Sequence, residues 1–129
     1  MTPGFHADSL AAALTVNDLQ KSVAWYRDAV GFAVDREIER EGKVASVALR
    51  AGGVRILLNQ DNGAKGLDRV KGEGLSLMLT THQRVDETAD RIVALGGTLV
   101  TPPSDTPWGT RAFRVRDPDG FLLVITSEK

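Results

Sequence analysis

Two periods of apolar and polar residues share the chain. In Leu10–Val16, Leu10, Ala12, Leu14 and Val16 fall on one side of an extended chain and Ala11, Ala13 and Thr15 on the other, which predicts a strand. Asn17 or Asp18 can cap a helix on which Leu19, Val23, Tyr26 and Val30 recur at helical spacing, with Gly31 placed to stop it. Alternation resumes over Phe32–Glu39, Val44–Arg50 and Val54–Asn59, broken by Gly42 and by Gly52-Gly53. Gln60 to Gly74 has no apolar period and carries Gly63, Gly66, Gly72 and Gly74 among charges, so it reads as a linker.

The second half repeats the first. Leu75–Thr81 alternates, Val85, Ala89, Ile92 and Leu95 mark an amphipathic helix ended by Gly96-Gly97, and Thr98–Thr101 is a short strand. Thr101–Pro107 reads as a loop, because its prolines lack the N–H that a central strand donates. Arg111–Arg116 and Phe121–Thr126 form a hairpin around Asp117-Pro118-Asp119-Gly120, whose proline and glycine suit a tight turn. A shift of 66 carries Leu19, Ser22, Val23, Tyr26 and Gly31 onto Val85, Thr88, Ala89, Ile92 and Gly97; a shift of 67 carries Gly53–Leu58 onto Gly120–Ile125. The fold class is therefore α+β, with two βαβββ modules, each a sheet covered on one face by one helix. The division is 1–60, a linker 61–74, and 75–129. The uncovered faces need a partner surface or a ligand, so a cleft between modules is expected.

Composition narrows the function by exclusion. A content of 42% hydrophobic and 26% charged residues is ordinary for a globular chain. No cysteine is present, so disulfides, thiolate nucleophiles and zinc–thiolate sites are excluded, a composition compatible with a cytoplasmic home. Met1–Ser9 lacks the pattern of a signal peptide, and no apolar run approaches a bilayer's span. A formal charge of −1 gives no electrostatic case for nucleic acid or a membrane surface. No phosphate-binding glycine loop opens a helix, and the two histidines, His6 and His82, sit outside the strands and assemble no catalytic triad.

The motifs Val16-Asn17-Asp18-Leu19 with Ser22 and Trp25-Tyr26, then Gly31-Phe32, Gly96-Gly97, Trp108-Gly109 and Asp117-Pro118-Asp119-Gly120-Phe121, resemble the vicinal oxygen chelate superfamily of glyoxalases, bleomycin-resistance proteins and dioxygenases. The resemblance covers nearly the whole chain and implies paired modules, each with a curved mixed sheet, commonly a homodimer, and a cleft built from two modules. It also implies four metal-ligand positions, which here fall on Ala11, Leu57, Ser76 (or Leu77) and Val124. Alanine, leucine and valine offer a divalent ion nothing, so no metal and no other cofactor is expected.

The face away from the helices supplies the candidate ligand-binding residues Arg55, Leu57, Asn59, Ser76, Met78, Arg114 and Val124, with Trp108 at the mouth. Trp108 can stack on a flat ligand, or plug the sheet end; Arg55 and Arg114 can pair with a carboxylate or phosphate, or point to solvent. No acid/base pair stands on this face, so no catalytic residue is assigned. The leading expectation is a metal-free homodimer binding a small hydrophobic or aromatic molecule, with drug sequestration one version. The alternatives are a lyase or isomerase with a non-standard site, and a dimeric scaffold or regulatory module whose cleft is closed.

Overall fold

A computed structural model describes residues 4–66 and 68–128. Residues 1–3, Leu67 and Lys129, which fall within the N-terminal, linker and second-module stretches read above, lie outside them. Strand β1 (Ala11–Val16) buries Leu14 and Val16, and Asp18 caps helix α1 (Leu19–Ala24) by accepting from the Lys21 N–H. The helix does not close regularly. Trp25–Val30 is a π-helical stretch, and the Tyr26 carbonyl accepts from both Gly31 and Phe32 at 2.9 Å. Gly31 ends it with φ +108°, a left-handed conformation that glycine adopts without strain.

Strands β2 (Ala33–Arg40), β3 (Lys43–Ala51) and β4 (Val54–Gln60) complete the first sheet in the order β1-β4-β3-β2. The β1–β4 pair is parallel and the others antiparallel. The second sheet repeats this as β5-β8-β7-β6, from β5 (Ser76–Thr80), β6 (Leu99–Asp105), β7 (Thr110–Arg116) and β8 (Leu122–Glu128), with helix α2 (Val85–Ala94) between β5 and β6. These are the two βαβββ modules expected. Each helix lies on one face of its own sheet, and α2 also touches the π-helical stretch of the first module. Leu14, Tyr26, Leu49 and Leu58 join Val85, Ile92, Phe113 and Leu123 in one continuous core. No helix among the described residues is long and apolar enough to cross a membrane.

Two expectations are corrected. Thr101–Pro107 is not all loop: β6 continues to Asp105 as the outer strand of its sheet, and its register breaks on either side of Thr101. An outer strand can carry Pro102 and Pro103, since a donor turned away from the ladder is not missed. Leu95 does not extend the buried helix face; it follows the last helical residue and is 60% exposed.

The linker hides an ion pair that apolar periodicity does not announce. Asp61 is buried, and its carboxylate accepts from the Gly63 N–H at 2.8 Å and meets Lys71 at 2.9 Å and Arg69 at 3.3 Å. Lys71 also donates to the Asn17 side chain at 2.6 Å, tying the linker to the end of β1. The Gly63 N–H, and then the two cations, hold the Asp61 carboxyl down to about 2. Its folded value lies below the ordinary 3.8, so its contribution to stability stands in full above that pH and drains away as pH falls through 2. In acid titrations followed by circular dichroism, Asp61→Asn should be less stable at neutral pH and lose less stability than the parent between pH 4 and 2; parallel curves would contradict this.

Candidate functional site

The faces away from the helices are built by strand parity. On the first sheet the cross-strand rows are Ala11-Arg55-Arg50, Ala13-Leu57-Ala48 and Thr15-Asn59-Ser46. On the second they are Ser76-Leu122-Arg116, Met78-Val124-Arg114 and Thr80-Thr126-Ala112. The alternate positions Ile56, Leu58, Phe113, Val115 and Leu123 are buried against the helices, which forces their neighbours outward. All the candidate strand residues therefore stand on the open faces.

The structure brings three of them together. A hollow of about 310 Å³ opens between β1 and the start of β4 on one side and β5 on the other, lined by Arg55, Ser76 and Met78 with Leu10, Ala12 and Leu79. Ser76 also borders a second hollow of about 530 Å³, formed by linker residues Lys71 to Leu75 with Arg116 and Leu122. A third, of about 400 Å³, lies at the other end of the module seam between Phe32, Gly53, Val54 and Leu79, with His82 at its rim. Leu57, Asn59, Arg114 and Val124 line none of these. Asn59 is engaged by the Ser46 hydroxyl, which donates to its side chain at 2.6 Å. Trp108 neither plugs a sheet end nor borders these hollows; it rides the β6–β7 turn, 76% exposed.

The four positions aligned with metal ligands, Ala11, Leu57, Ser76 and Val124, contribute one hydroxyl among them. Among the described residues no three His, Asp or Glu side chains gather in a group that could hold a metal ion. The donors present do not fit the family's divalent ion.

Sequence reasoning missed the polar seam between the modules. The Tyr26 hydroxyl donates to Asp117 Oδ2 at 2.7 Å, while Asp117 Oδ1 accepts from the N–H groups of Asp119 and Phe121, both at 2.9 Å. Asp119 accepts in turn from the Asn17 N–H at 2.8 Å and the Ser22 hydroxyl at 3.2 Å. Burial pushes the Tyr26 phenol far above its usual range, and the Asp117 carboxylate adds to the rise. The neutral phenol is thus a permanent donor here, a structural joint between helix and turn. The signal was present in the motifs: Tyr26 and the Asp-Pro-Asp-Gly turn are the partners.

Residues 8–125 match the Glyoxalase/Bleomycin resistance protein/Dioxygenase superfamily. A probable lactoylglutathione lyase of Vibrio cholerae is 31% identical over 127 residues, covering 93% of this chain and 90% of that one. Among solved structures, TioX from Micromonospora sp. ML1 superposes with a TM-score of 0.77 at 24% identity, over 95% of this chain and all of that one. TnmS3, an antibiotic binding protein from Streptomyces sp. CB03234, gives 0.74 at 21% identity, over 96% and 98%. With the repeated modules, the open sheet faces and a family match over most of its length, this chain belongs to the glyoxalase/bleomycin resistance protein/dioxygenase superfamily.

Proposed function

We propose that the protein binds a small apolar or aromatic molecule without metal, as a homodimer in which the open sheet faces are covered. The observation that carries this reading is the donor set: Ala11, Leu57 and Val124 make the family's metal positions an apolar floor, with Ser76 as the one polar group. The hollow at Arg55, Ser76 and Met78 has the apolar lining and few polar groups of a ligand pocket. Met78 is 72% exposed in the single chain, an apolar surface that a second copy or a ligand would cover. The fold is shared with the antibiotic-binding TnmS3, and sequestration of such a molecule requires no chemistry of the protein. Leu57, Asn59, Arg114, Val124 and Trp108 belong to the proposed site only if the open faces are brought together by the partner copy.

A second reading, an isomerase or lyase, is favoured by the relative named as a probable lactoylglutathione lyase. One experiment separates the two. Purified protein is incubated with zinc, nickel, manganese and iron, freed of loose metal, and taken to elemental analysis and to an assay with methylglyoxal and glutathione. The binder should retain less than stoichiometric metal and show no turnover. One tightly held ion per site, with turnover abolished by a chelator, would establish the enzyme instead.

A further inference from the structure

The register of the first sheet sets two guanidinium groups against each other. Arg50 on β3 is directly opposite Arg55 on β4, and both are exposed on the open face. Like charges directly opposite in an antiparallel ladder destabilise the sheet. Arg50 has partial relief in Asp35, at 3.2 Å. Arg55 has no ion-pair or hydrogen-bond partner among the described residues, and it lines the hollow beside Ser76 and Met78. The second sheet has the same bias. Arg114 and Arg116 stand two residues apart on the open face of β7, and Arg114 is also unpartnered among the described residues. Arg116 donates to the Gly120 carbonyl at 2.9 Å and borders the hollow that shares Ser76.

This charge is local. The chain has 16 Lys and Arg against 17 Asp and Glu, yet the open-face positions of β1, β3, β4, β5, β7 and β8 carry four arginines and one carboxylate, Glu128. The outer strand β2 adds Arg36 and Glu39 opposite Ala48 and Val44, and its Asp35 meets Arg50 but not Arg55. Covering these faces without an anion would desolvate unpaired positive charge. An anion at Arg55 relieves the Arg50–Arg55 repulsion, and unpartnered guanidinium donors beside an apolar lining are suited to a carboxylate, sulfonate or phosphate.

We infer that the ligand is an amphipathic organic anion, with an apolar body against Leu10, Met78 and Leu79 and its charged end on Arg55, reinforced by Arg50. The inference rests on the small-molecule reading above and adds the sign and place of the charge.

The test uses two probes with the same aromatic skeleton: 8-anilinonaphthalene-1-sulfonate, an anion, and N-phenyl-1-naphthylamine, which lacks the sulfonate. Saturable fluorescence titrations are run on the full chain and on Arg55→Gln and Arg114→Gln. The sulfonate should bind about tenfold more tightly than the neutral probe, the worth of roughly one charge-assisted hydrogen bond. Arg55→Gln should remove that preference by weakening the sulfonate about tenfold relative to the neutral probe. The Tm of Arg55→Gln should equal or exceed the parent's, since the substitution relieves a repulsion. Equal binding of both probes, or a preference that survives in Arg55→Gln, would overturn the inference and leave the small-molecule reading standing. Failure of both probes to bind the parent would overturn that reading and the inference with it.

Discussion

Asp117→Ala should lower the stability of the fold by about 2–6 kcal/mol, the sum expected when two buried donors lose their acceptor at about 1–3 kcal/mol each. The donors are the Tyr26 hydroxyl and the Phe121 N–H, both buried, and the Asp119 N–H. A loss of that size is a large part of the roughly 5–15 kcal/mol that holds a domain together. Asp117→Asn should cost less than half as much, because its carbonyl oxygen can still accept from the two backbone groups. Urea unfolding of the two variants beside Tyr26→Phe checks the ranking, and an alanine variant as stable as the asparagine one would contradict it. Burial also pushes the Asp117 carboxyl above its ordinary 3.8, outweighing the donated hydrogen bonds that favour the carboxylate. The folded state then holds this proton to higher pH than the unfolded one. That part of stability is complete below 3.8 and is lost as pH rises through the raised value, opposite in sign to Asp61. Both substitutions at Asp117 should abolish its slope.

Gly72→Ala should destabilise by about 2–5 kcal/mol, from about 1–2 for an L-residue in the left-handed region and about 1–3 for overpacking. Gly72 has φ +78°, and a β-carbon there would stand 2.9 Å from the Phe121 Cα and 3.1 Å from the Gly120 carbonyl oxygen. Both are backbone, so neither can swing aside. Gly74 is the control within the same linker: its φ is +75°, but a β-carbon would meet nothing within 4 Å. Gly74→Ala should therefore cost only the conformational part, about 1–2 kcal/mol. Equal losses at the two positions in urea unfolding would show that the linker does not press on the Asp117–Phe121 turn as described.

The modules were legible because their signals are local. A strand with one buried face must alternate, an amphipathic helix must recur near every fourth residue, and Asp-Pro-Asp-Gly restricts its own backbone. Lone signals did worse. Pro102 and Pro103 spoke against a strand, but only within a sheet; at its outer edge they are tolerated. Tyr26 read correctly as a core position, yet its acceptor is 91 residues away, and no period carries that information. Asp61 and Lys71 looked like linker charges because a buried ion pair leaves no apolar pattern. Parity placed Arg55, Leu57, Asn59, Ser76, Met78, Arg114 and Val124 on the open faces, but it says nothing of which faces approach. In the single chain Arg55, Ser76 and Met78 share a hollow.

Arg91 on α2 donates through Nε to the Ala29 carbonyl at 2.9 Å and through Nη2 to the Val30 carbonyl at 2.6 Å. These are the last carbonyls of the first module's helix, where a cation also suits the negative end of the helix dipole. The duplicated halves are therefore not interchangeable. One lends the other its helix terminus, and severing them would leave two backbone acceptors bare on one side and a guanidinium idle on the other. The two similar halves are thereby joined into one cooperative unit, in which the end of the first module's helix depends on a cation from the second.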